Sequence, residues 1–144
     1  MPTVEELARL NGGAIQVDIA KERPLMAVLA GPIAHWWKPG LWDSAAHKEY
    51  TKWRDAVEYA FISRGWLVYS PHKAWRGSWH EDAQHINDTA IMMCDMLVVL
   101  TPPGVEAIGT EKETDLAKRL NKLVFHCPPG DVGMTAAMAK INQR

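Results

Sequence analysis

Long apolar runs are missing from this sequence: nowhere do hydrophobic residues continue for the roughly 18 to 20 positions that a bilayer-spanning helix requires. The opening residues, MPTVEELARL, are acidic and lack the basic head and apolar centre of a secretory signal. These two absences lead us to expect a cytoplasmic protein with no membrane partner. Neither sign of charge is in excess. Sixteen Lys and Arg stand against 17 Asp and Glu, for a formal net charge of -1. No basic field is available to neutralise a polynucleotide's phosphates, so the expected partner is a small molecule and not a nucleic acid polymer. Cysteine is scarce, with only Cys94 and Cys127 and no paired CxxC, which argues against a disulfide framework or a zinc knuckle and for two buried thiols. The histidines, at 35, 47, 72, 80, 85 and 126, show no metal-ligand spacing such as HExxH, and neither a metal nor another cofactor is expected. Repeats, charge blocks and low-complexity linkers are lacking as well. A chain of 144 residues, 47% of them hydrophobic, then makes one compact domain spanning 1–144.

What is present is an alternation. Four apolar runs, Leu25 to Leu29, Trp66 to Tyr69, Met96 to Leu100 and Leu123 to Phe125, are each followed by a proline-containing turn. Their near-continuous hydrophobicity suits strands buried on both faces of a parallel sheet. Helical spacing joins Tyr50, Trp53, Val57, Ala60 and Phe61 on one face of a helix ending near Gly65. Further helices are expected from about Glu81 to Met93, Thr110 to Leu120 and Met134 to Ile141. Residues 1–24 read as an N-terminal helix and an edge strand carrying the alternation Ile15, Val17, Ile19. Right-handed crossovers would gather these elements into an α/β fold, a doubly wound parallel sheet of four to five strands flanked by helices, Rossmann- or flavodoxin-like. Ligands of such sheets bind beyond the carboxyl ends of the strands, where the proline turns fall.

Three features near those turns could carry chemistry. Glu113 shares a helical face with Leu116, Ala117 and Leu120, so its carboxylate points toward the sheet, which is unusual for a glutamate. The run Thr110-Glu111-Lys112-Glu113 is also a capping box, in which Glu113 would merely tie down a helix start. Asp88 lies on the preceding helix, three residues from His85 and on the same face, with a solvated surface as its alternative role. Asp95, at the opposite edge of the sheet, reads as structural. The third feature is a set of rings, His35, Trp36, Trp37 and Trp42 after the first strand and Trp75 and Trp79 after the second. They could sandwich a nucleobase, build a subunit interface or pack the core.

Together these segments resemble a known family. Leu29-Ala30-Gly31-Pro32, Asp88 ahead of Cys94-Asp95-Met96-Leu97-Val98-Val99-Leu100, and Gly109-Thr110-Glu111-Lys112-Glu113-Thr114-Asp115-Leu116-Ala117 are similar to the nucleoside 2-deoxyribosyltransferases and their nucleotide N-hydrolase relatives. The resemblance spans roughly residues 25 to 129. It implies that Glu113 attacks C1′ of the sugar and forms a glycosyl-enzyme ester, with an oxocarbenium-like transition state. It implies that Asp88 helps protonate the leaving base or orients the sugar, although its spacing to Asp95 is one residue short and Asn87 competes for the position. Gly31 and Pro32, with Ile33, His35 and Trp36 after them, would hold the substrate beside Gly109 and Thr110. Thr135 would meet a 5′-phosphate from a neighbouring subunit, making the protein a homodimer or larger even oligomer. Val28 and Ala107 stand where the family often has a tyrosine and a polar or acidic residue, which favours a different substrate such as a modified nucleotide. A nucleotide-binding or sensing module without chemistry, and a structural oligomer packed through its tryptophans, are the alternatives.

Overall fold

The computed structural model describes residues 3, 23–75 and 80–142. The apolar runs become β1 (Met26–Ala30), β2 (Leu67–Tyr69), β3 (Met96–Val99) and β4 (Leu123–His126). All pairings are parallel and the strand order is β2-β1-β3-β4. The expected edge strand over Ile15 to Ile19 falls outside the described residues, as does Trp79. Among the described residues six helices connect or follow the strands: α1 (Ile33–Trp36), α2 (Ala45–Ile62), α3 (Pro71–Ala74), α4 (Ala83–Met93), α5 (Ile108–Arg119) and α6 (Gly130–Asn142).

The alternation of β1 and β3 side chains explains why helices cover both faces of the sheet. Ala27, Leu29, Met96 and Val98 point one way and pack with Val57 and Phe61 of α2 and Ala137 and Ile141 of α6. Val28, Ala30, Leu97 and Val99 point the other way, onto Ala90 and Ile91 of α4 and Ala117 of α5. Each large aliphatic side chain buried here contributes about 1.5–3 kcal/mol. The molecule is thus a doubly wound α/β sheet, as its sequence pattern indicates.

Local signals set the helix ends. Ser44 caps α2 by accepting from the His47 backbone N–H at 3.1 Å. Gly65, at φ 85°, lets the chain turn left-handed after α2 and enter β2. At the amino edge, Asp95 accepts from the two terminal guanidinium nitrogens of Arg23 at 2.9 Å and from the Met26 backbone N–H at 2.8 Å, which gives it the structural role expected of it. The Arg23 hydrogen bonds hold its carboxyl below the usual carboxylate range.

Most of the rings after β1 serve packing. Trp36 is 2% exposed and packs at a tilt against the rings of His47 and Tyr50. Trp42 packs on His47 and His72, whose Nε2 atoms lie 2.8 Å apart. Burial, with Arg54 and His47 beside it, pushes His72 down to about 3, so the His72 imidazole is neutral at physiological pH. Cys94 and Cys127 are free, buried thiols.

Candidate functional site

The crossover that follows β1 returns on one side of that strand, and the path into β3 emerges on its other side. The loops leaving the two strands therefore diverge, and a crevice opens between them at the carboxyl edge of the sheet. A cleft of about 510 Å³ occupies this place. One wall is the turn after β1, with Gly31, Pro32, Ile33 and His35. The other is the start of α5, with Gly109, Thr110 and Glu113, and α4 adds Gln84 and Asn87.

Gly31 is required by close approach. A Cβ there would lie 1.8 Å from the Tyr50 hydroxyl oxygen and 3.0 Å from the Leu100 carbonyl oxygen. Gly109 differs, because a Cβ there would meet no protein atom within 4 Å. Its missing side chain leaves room in the cleft and serves no packing contact.

Glu113 is the sixth residue of α5 and its inward face carries it to the cleft. It is 8% exposed, and its Oε2 is buried with no hydrogen-bond partner. Burial, and secondarily the charge of Asp88, raise its pKa to about 7. The capping-box role is corrected here. The helix starts at Ile108 with Ala107 as N-cap and no side-chain cap, so Thr110 and Glu113 both lie inside the helix. The Thr110 hydroxyl oxygen is likewise buried without a partner.

On α4 the cleft receives Asn87, not Asp88. Asp88 is half-buried one step around the helix, and its Oδ1 accepts from Gln84 Nε2 at 2.8 Å. It acts on Glu113 through charge. Asn87 is fully buried, and its Oδ1 accepts from the Tyr69 hydroxyl at 2.7 Å and the Trp75 indole N–H at 3.0 Å. Tyr69 and Trp75 thus support the site from β2 and the end of α3, a role the sequence did not suggest.

One other expected contact does not meet the cleft. Trp36 is corrected from substrate contact to core residue, because Ile33 and Trp36 both bury on a single-turn helix and the indole goes under α2. Its neighbour Trp37 lines the cleft instead, with Lys38. Thr135, expected at the cleft of a neighbouring subunit, is exposed on α6 and lies away from the cleft of its own chain. His35 lines it with a pKa lowered by desolvation and then by Lys38, which keeps the imidazole neutral at physiological pH. Among the described residues no three His, Cys, Asp or Glu side chains come together to hold a metal ion, and no helix is long and apolar enough to cross a membrane.

No protein-family model matches the chain, and neither does any curated protein sequence.

Proposed function

We propose that this cleft binds a nucleoside or nucleoside 5′-monophosphate and cleaves its N-glycosidic bond through a glycosyl ester on Glu113. The observation that supports this reading is the state of Glu113: a carboxylate at the switch point of the sheet, desolvated, and with Oε2 unbonded. A carboxylate oxygen without a donor has lone pairs free for attack, and the negative charge of the group favours a positively charged sugar in the transition state. In the first step a Glu113 oxygen bonds to C1′ as the C1′–N bond breaks and its electrons leave with the base. In the second, water or another base takes the sugar and frees the carboxylate. Only the ionised form attacks, so the rate rises with pH through about 7.

The test is a panel of nucleosides and 5′-monophosphates assayed chromatographically for free base, with mass spectrometry of quenched protein for a sugar adduct on Glu113. The wild type should release base and E113Q should not. Absence of both release and adduct across the panel refutes the proposal and leaves a binding module. The same reading includes an even oligomer in which Thr135 of a second copy meets the substrate phosphate. A monomer by light scattering, or an equal effect of Thr135→Ala on nucleosides and monophosphates, counts against that part.

A further inference from the structure

The buried polar atoms at the cleft floor are Asn87 Nδ2, Thr110 Oγ1 and Glu113 Oε2, and none has a partner. The orientation of Asn87 is fixed from behind. Trp75 Nε1 can only donate and Asn87 Oδ1 accepts from it, so flipping the amide would set two donors against each other. The Tyr69 hydroxyl adds a second hydrogen bond to the same oxygen. Nδ2 is therefore committed to face away from this pair as an open donor. An unmet donor in a desolvated site is costly, and so is an unmet carboxylate, yet Asn87 and Glu113 do not bond to each other. The pair suits a third molecule that offers an acceptor to the amide and an electrophilic carbon to the carboxylate.

An amide gives a hydrogen bond but no proton. Asp88, the adjacent carboxyl, does not line the cleft, Glu106 and Lys38 line it only as exposed side chains, and desolvation keeps the His35 imidazole neutral. Building on the glycosidic reading above, we propose that Asn87 Nδ2 binds the leaving base without protonating it, so that the site selects nucleosides of electron-poor bases that depart as anions. As C1′ passes from the base nitrogen to the Glu113 oxygen, the C1′–N electron pair stays with the base. Its charge spreads onto the acceptor held by Asn87, and the released anion takes a proton from water. Tyr69 and Trp75 are positioning residues for the amide.

The test measures base release from two series, 5-substituted uracil nucleosides and 2-substituted hypoxanthine nucleosides, each ordered by the acidity of the free base. In the wild type the rate should climb steeply with that acidity. N87A should lower every rate by about ten- to a hundredfold, the effect of losing a hydrogen bond to developing charge, and keep the slope. In N87D the new carboxyl would share a buried floor with Glu113, so one of the two holds a proton, and the slope should flatten because the base now leaves protonated. A shallow slope in the wild type overturns the inference, as does N87A turning over like the wild type. If N87A does not fold, the wild-type slope decides alone. Release of base with a shallow slope leaves the glycosidic reading standing, whereas no release from either series or from the wider panel removes that reading itself.

Discussion

Replacing Glu113 by Gln tests the electrostatics of the cleft without any substrate. Burial and the nearby Asp88 raise this carboxyl from 4.5 to about 7. A folded-state pKa above the unfolded value means that the folded protein binds the proton more tightly. The associated stability is fully present below about 4.5, declines as pH rises, and is lost once the pH passes about 7. The shift corresponds to roughly 3 kcal/mol, with most of the loss falling between about pH 5 and pH 8.5. E113Q has no proton to lose. Its amide leaves polar atoms unpaired in the same place, at a cost of about 1–3 kcal/mol, but that cost is the same at every pH. The stability of E113Q relative to wild type should therefore rise by about 2–3 kcal/mol between about pH 5 and pH 8.5. Urea denaturation followed by circular dichroism at a series of pH values would read this directly. Parallel curves for the two proteins would refute the reasoning, because they would mean that Glu113 is ionised throughout and not desolvated by the fold.

Removing the second cause of the shift should move it: D88N should bring the Glu113 titration, followed by the side-chain carboxyl carbon in NMR, below about 7 while burial keeps it above 4.5. An unchanged midpoint would mean that Asp88 does not reach Glu113. For G31A we expect a loss of about 1–3 kcal/mol through overpacking against Tyr50, with the double variant G31A/Y50F recovering part of it because the clashing hydroxyl is gone. Equal melting of G31A and wild type would show that the turn can yield. G109A should keep or gain up to about 1 kcal/mol, since alanine is the better helix former and its Cβ meets no protein atom, yet it should weaken ligand binding in a titration. A G109A protein that binds like wild type would mean that the ligand does not pass over this helix start.

The fold was legible because the two signals that define it are local. Apolar runs ending in proline turns mark strands, and their ends differ from the observed ones by about one residue, within the ordinary spread of strand boundaries. The start of α5 was harder. Thr110-Glu111-Lys112-Glu113 has the capping-box pattern, but that motif works only if Thr110 stands outside the helix, and Ile108 and Gly109 already belong to it. Similarly, Trp36 and Trp37 are adjacent rings in sequence, and only the depth of α1 sends one under α2 and the other to the cleft.

The choice between Asn87 and Asp88 shows what kind of information a single sequence lacks. One helical step of about 100° separates the two, and the carboxylate is the more reactive group, so chemistry alone points to Asp88. The amide at position 87 is held by Tyr69, 18 residues earlier, and Trp75, 12 residues earlier, neither of them on its helix. Those hydrogen bonds exist only because β2 and the end of α3 come alongside α4 in the folded chain. The same arrangement explains how a fully buried asparagine can be tolerated: its oxygen is doubly satisfied, and the penalty falls on Nδ2 alone. That penalty lies in the same cleft as the desolvated carboxylate of Glu113 and the unpartnered Thr110 hydroxyl, so a bound substrate would relieve the amide and the carboxylate together.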